Sequence, residues 1–155
     1  AGGVAAGARA ALVGSAGGGF LSQGLFDIPL DFDSLRETGG DLSSGTVEIL
    51  GGGACVLDAV RRNLAFSSSQ SCGKCVPDRL GTRRLLDIVE RLCSGEGRPG
   101  DLELASGLAQ DIDTGSLCAL GRGAVRPFLT AMRFFQEELE KHEARECPAG
   151  VCQMR

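Results

Sequence analysis

Two cysteines one helical turn apart, Cys72 and Cys75, sit in the stretch SSSQSCGKCVPDRLGT between Ser67 and Thr82. Thiolates are soft ligands and suit zinc or an iron–sulfur core. The same spacing puts a further ligand at position 78, where the residue is Asp78. Gly73 lets this loop turn, so that backbone N–H groups can point at sulfur. Far downstream, Cys118 stands in TGSLCALGRGA, a second glycine-flanked loop. Three chemistries fit these residues. Cys72, Cys75, Cys118 and Asp78 can surround an iron–sulfur core, with the oxygen-ligated iron the most labile. They also suit a tetrahedral zinc ion. A redox dithiol is the third reading, although that kind of CxxC belongs near a βαβ pattern, which is not found here.

The other cysteines are Cys55, Cys93, Cys147 and Cys152, seven in all. An odd count with irregular spacing favours metal binding in a reducing compartment over a disulfide framework. Cys93 falls at the far end of a helix, roughly 20 Å from the CxxC, and reads as core, as does Cys55 near a helix start. Cys147 and Cys152 are open between pairing, metal binding and the start of a further segment. His142 continues an apolar stripe near a helix end, where the dipole favours a cation, and reads as buried or capping rather than ligating. With a single His and no paired-carboxylate arrangement, hydrolytic catalysis has no machinery here. GSAGGG matches neither GxGxxG nor GxxxxGK[ST] and reads as a tight turn.

The elements that must position these residues follow from apolar spacing. ARAALV, Ala8–Val13, reads as a buried strand, and TVEIL, Thr46–Leu50, alternates like another. Between them Asp31 is placed to cap a short helix over Phe32 and Leu35, ended by Gly39 and Gly40. From Ala54 the period becomes helical: Val56, Val60 and Leu64; then Leu85, Val89 and Leu92 on a helix from about Arg79 to Cys93. Leu102, Ala105, Leu108 and Ile112 follow, with Asp101 as N-cap. Val125, Phe128, Met132, Phe135, Leu139 and His142 mark a last amphipathic helix. Four helices with short connections predict a small bundle. In an antiparallel bundle the loops before the second and fourth helices lie at one end, which brings Cys72, Cys75, Asp78 and Cys118 together.

Composition narrows the function class. The 155 residues are 43% hydrophobic, enough for a core, and contain neither Trp nor Tyr. The net charge is −4 and the pI near 5.0, and Arg83, Arg84 and Arg91 are interspersed with Asp87 and Glu90, which reads as a solvated helix face rather than the basic patch of a nucleic-acid binder. No apolar run approaches the roughly 20 residues of a membrane span. The N-terminal AGGVAAGARAALVGSAGGG lacks the compact apolar stretch of a signal peptide. It also lacks an initiator Met, as expected of a fragment.

SCGKCVPDRLGT resembles the SCGKCxPCRxGT motif of the NADH- and flavin-binding subunit of respiratory complex I, whose relatives serve NAD-linked hydrogenases and formate dehydrogenases. SLCALGRGAVRPFLTAMRFFQEELEKH is similar to the segment carrying that family's fourth cluster ligand. LVGSAGGGFL and DIPLDFDSLRETGGDLSSGTVEIL resemble the later part of its soluble-ligand-binding β-grasp domain, and CPAGVC recurs in hydrogenase-type members. The resemblance runs collinearly over nearly the whole chain. It implies an α+β fold: part of a β-grasp domain over residues 1–53, a four-helix iron–sulfur bundle over 54–146, and a tail or start of a further domain over 147–155. It implies a 4Fe–4S cluster, or a 3Fe–4S cluster if the labile iron leaves, on Cys72, Cys75 and Cys118, with Asp78 where the family has Cys. FMN and NAD(P) would sit on a missing domain or a partner chain, so this chain alone is not expected to oxidise NADH. The implied partners are other oxidoreductase subunits carrying flavin and iron–sulfur clusters, in the cytoplasm or on the cytoplasmic face of a membrane complex. The alternative is a redox-silent structural or assembly module that has lost its cluster.

Overall fold

A computed structural model of the chain describes residues 7–154. Ala1–Ala6, where the signal-peptide reading begins, and Arg155 lie outside them. Strand β1 (Ala8–Val13) forms where expected and is central in a three-stranded antiparallel sheet of order β2-β1-β3. The outer strands are β2 (Gly19–Ser22) and β3 (Val47–Gly51). Leu12 pairs with Phe20 on one side and Glu48 on the other. The two-residue period of a strand divides β1 between two apolar clusters. Ala10 and Leu12 face the helices, while Ala11 and Val13 pack with Leu21 and Leu35. GSAGGG is the tight turn its residues predict. Gly14 holds φ of +85°, and a Cβ on Gly18 would lie 1.6 Å from the carbonyl oxygen of Val13. Helix α1 (Phe32–Glu37) is capped by Asp31, whose Oδ1 accepts from the N–H of Ser34 at 2.8 Å. It buries Leu35 but leaves Phe32 in solvent.

The helical part follows as α2 (Val56–Ser69), a π-turn (Pro77–Thr82) running directly into α3 (Arg83–Cys93), α4 (Asp101–Gly115), α5 (Ala119–Ala124), α6 (Arg126–Phe134) and α7 (Gln136–Glu143). Three expectations change. The expected fourth helix is three. A turn of its own follows Cys118, and the backbone breaks again at Phe135 (φ −134°, ψ 30°). The apolar stripe survives the break: Val125, Phe128, Leu139 and His142 are all fully buried. Second, Gly100 rather than Asp101 is the N-cap of α4. Its φ of +88° is a conformation glycine adopts without strain. Asp101 opens the helix, and its carboxylate accepts from Arg91 Nε at 3.0 Å and the N–H of Arg98 at 2.9 Å. Third, the helix expected from Arg79 begins earlier, in the π-turn.

Sheet and helices share a core. Ala10, Leu12, Phe20 and Leu50 belong to the same buried cluster as Val60, Leu64, Leu85, Val89, Ile112 and Phe128. Phe20 meets Phe135 edge-to-face at 6.3 Å, and its N–H donates to Thr130 Oγ1 at 2.8 Å. Arg9 on β1 pairs with Glu138 on α7. None of the helices among the described residues is long and apolar enough to cross a membrane.

Candidate metal centre

Helix α2 ends at Ser69, and the chain turns through Ser71, Cys72, Gly73 and Cys75 before Pro77 starts the π-turn. Gly73 holds φ of +72°, the turn its residue type predicts, and its N–H reaches Ser71 Oγ at 3.3 Å. Cys72 is exposed and Cys75 half-buried. Asp78 is buried, 1% exposed. Its Oδ2 accepts from Ser71 Oγ at 2.6 Å, while Oδ1 is buried with no partner. Thr82 Oγ1 donates to its backbone carbonyl, holding the widened turn. An unsatisfied buried carboxylate oxygen costs about 1–3 kcal/mol or more, a cost that a ligand bound to this atom would relieve.

Cys118 precedes α5 in extended conformation and is exposed. Between it and Asp78 the packing is close. A Cβ on Gly121 would lie 3.0 Å from Asp78 Cβ and 2.6 Å from Ser116 Oγ. Ser116 Oγ is itself buried and unpartnered. The π-turn that holds Asp78 and the segment from Ser116 to Gly121 therefore touch; the ligand atoms that gather within 4.8 Å of one another among the described residues belong to a different group. Two orphaned oxygens lie where the π-turn touches that segment, and thiols stand on the loops beside both. This donor set fits an iron–sulfur group: soft sulfurs for the iron and a carboxylate oxygen without another partner.

The opposite end holds a group the sequence reading dispersed. Cys55, read as core, is the N-cap of α2; its sulfur accepts from the N–H of Asp58 at 3.4 Å. His142 is fully buried, with Nε2 at 3.3 Å from Cys55 Sγ and 3.5 Å from Cys152 Sγ. Cys55 and Cys152 sulfurs are 3.7 Å apart. With Cys147, the four ligand atoms lie within 4.8 Å of one another. Burial alone would push the Cys147 thiol up, but N–H groups of Cys152 and Val151 favour its thiolate and bring it to about 6. The neighbouring Cys152 thiol and burial push Cys55 upward. Burial opposes protonation of His142, yet the Cys55 and Cys147 sulfurs beside it outweigh this and raise its pKa. Cys93 is buried in the core, as expected. The missed signal was local: His142, Cys147 and Cys152 recur at five-residue steps. Its fourth member lies more than eighty residues upstream.

A three-stranded sheet packed on a helical bundle, with cysteine loops at one end, is a frame for a thiolate-bound metal group. The chain belongs to the family of the NADH-ubiquinone oxidoreductase-F iron–sulfur binding region, which matches residues 58–142. That family's group is a 4Fe–4S cluster. The chain is 32% identical over 145 residues to the HndC component of the NADP-reducing hydrogenase of Solidesulfovibrio fructosivorans, covering 93% of this chain and 30% of that protein. It is 37% identical over 151 residues to the F component of the NADH-quinone oxidoreductase of Mycobacterium tuberculosis (strain H37Rv), covering 96% of this chain and 34% of the relative. It spans about a third of the length of such relatives. In fold it resembles the crystal structure of an NAD+-reducing [NiFe]-hydrogenase in the H2-reduced state. The TM-score is 0.77 at 24% identity, over 87% of this chain and 22% of that one.

Proposed function

We propose that this chain is the cluster-bearing electron-transfer module of an NAD(P)H-linked oxidoreductase, located in the cytoplasm or on the cytoplasmic face of a membrane complex. In this reading residues 1–53 are the later part of a β-grasp domain, 54–146 the iron–sulfur bundle and 147–155 a tail. The observation that carries it is the buried, unpartnered Oδ1 of Asp78 at the junction of the two cysteine loops. Cys72, Cys75 and Cys118 would hold a 4Fe–4S cluster through thiolates, and Asp78 would offer the fourth, harder ligand. When bound, the cluster supplies one-electron transfer between a flavin outside this chain and other iron–sulfur subunits.

The chain's own residues shape that task. Ser71 fixes one oxygen of Asp78 and leaves the other free. Gly73 and Gly121 let two loops approach. Val76, Leu80 and Leu117 are 68%, 60% and 74% exposed around the cysteines. An exposed apolar rim of this kind suits a protein partner, here another subunit of the oxidoreductase.

The test is anaerobic purification with iron and sulfide assays and electron paramagnetic resonance. A brown protein with a three- or four-iron signal, lost in Cys118→Ser, is the expected result. A folded, colourless, iron-free chain overturns the reading and leaves the redox-silent assembly module in its place.

A further inference from the structure

Helix α4 ends on Ser116, whose hydroxyl has no partner inside the chain. Two other helices also end on a hydroxyl residue, and there the helix itself uses it. Thr38 Oγ1 at the end of α1 donates to the carbonyl oxygen of Leu35 at 2.6 Å. Ser94 Oγ at the end of α3 donates to that of Arg91 at 3.0 Å. Both residues still curl with their helix, at ψ of −11° and 1°. Ser116 instead leaves α4 extended, at ψ of 138°. Its side chain is nonetheless enclosed, in a residue 3% exposed. Buried hydroxyls nearly always find a hydrogen-bond partner, so this one calls for a reason.

The residue is held firmly. The Ser116 N–H donates to the carbonyl oxygen of Ile112 at 3.0 Å, and its own carbonyl accepts from Arg122 Nε at 3.2 Å. A Cβ on Gly121 would lie 2.6 Å from the Ser116 hydroxyl and 3.0 Å from Asp78 Cβ. The other buried side-chain oxygens without a partner among the described residues are those of Ser67 and Asp78. Each of the three residues stands within five positions of Cys72, Cys75 or Cys118. A metal can complete the carboxylate oxygen of Asp78, because metals take lone pairs. A hydroxyl hydrogen needs an anionic acceptor, and an iron–sulfur group brings one as thiolate or sulfide sulfur.

On the reading that a cluster binds here, we propose that the Ser116 hydroxyl donates a hydrogen bond to a sulfur of that cluster and holds its reduction potential up. Each electron that enters adds one negative charge to a group already ringed by anionic ligands. Hydrogen bonds to charged acceptors are the stronger ones, so the donor stabilises the reduced form more than the oxidised form. Hydrogen bonding to cluster sulfur is one of the protein's levers on potential. Ser116 is thus a tuning residue and not a ligand.

The full chain is prepared without oxygen as the parent, Ser116→Ala and Ser116→Thr. Each is assayed for iron and sulfide and titrated redox-wise under electron paramagnetic resonance. Ser116→Ala should keep the parent's iron and sulfide and shift the potential to more negative values. Ser116→Thr retains a hydroxyl and should move it back towards the parent. The shift should persist in an Asp78→Cys background, because the donor acts on sulfur rather than on the carboxylate. In the iron-free chain Ser116→Ala should raise the urea midpoint, since it removes an unpaired buried polar group. A folded parent chain without iron sinks this inference together with the cluster reading. With iron present, four results overturn it alone: a potential unmoved by Ser116→Ala or moved equally by Ser116→Thr, iron lost with the hydroxyl, a shift that vanishes in the Asp78→Cys background, or a lowered urea midpoint in the iron-free variant.

Discussion

The two ends of the bundle carry the same elements, cysteine and short loops, yet differ in how they are finished. At the Cys55 end the acidic side chains of α7 close the helix starts. Glu138 accepts from the N–H of Val56 at 2.9 Å and from Arg9, and Glu143 accepts from the N–H of Leu102 at 3.1 Å. At the Cys118 end neither the π-turn nor α5 has a side-chain cap, and three buried oxygens, of Ser67, Asp78 and Ser116, have no partner. One end is satisfied by the protein itself. The other is left open, with thiols exposed. Unsatisfied polar atoms cluster where a group from outside the chain would complete the structure.

The sharpest way to break that contrast is at its best-finished point. Glu138→Ala removes the Arg9 partner and the acceptor of the Val56 N–H at the start of α2 together. It should cost about 3 kcal/mol, read as a lower urea midpoint, with iron content unchanged in the protein that folds. Gly121→Ala attacks the open end. Its methyl would meet Ser116 and Asp78, an overpacking cost of about 2 kcal/mol, and iron incorporation should fall with it.

Asp101→Asn probes the finished end by charge. The Arg91 guanidinium holds the Asp101 carboxyl below its usual range; burial opposes this and the Arg98 N–H assists. Because the folded value is lowered, the contribution is whole above the ordinary carboxylate value near 4 and disappears as pH falls through the folded value. The substitution should cost about 1.5 kcal/mol near neutrality, and the gap from the parent chain should narrow in urea melts at about pH 3. Asp78→Ala is the mildest change in the metal-free chain. It removes the orphaned Oδ1 together with the Oδ2 that accepts from Ser71, and because these two losses oppose one another stability should alter by less than about 1 kcal/mol. Asp78→Cys should instead yield a cluster more resistant to iron loss, followed by electron paramagnetic resonance after mild oxidation.

Local features of this fold were legible in the residues. ARAALV is a strand, Asp31 is a cap, and GSAGGG is a close-packed turn. What escaped depends on contacts between distant segments. The stripe from Val125 to His142 keeps its face across the break at Phe135, so periodicity alone cannot reveal the break. Asp101 has the residue type of a cap, but Arg91 claims its carboxylate and glycine takes the cap position. Cys55 looks like core because its ligand-type neighbours arrive from the other end of the sequence. For the same reason His142, expected to be buried or capping, is buried against sulfur.

The pairing of Arg9 with Glu138 spans 129 residues, and that of Phe20 with Thr130 spans 110. A ribosome adding about 5–20 residues per second emits such a stretch in roughly ten seconds. During that time the first strands exist without the helices that cover them. Val47 and Ile49 on the outer strand remain exposed even afterwards. The nascent sheet is thus the part of the described residues that waits longest for its cover, until the last helix leaves the exit tunnel.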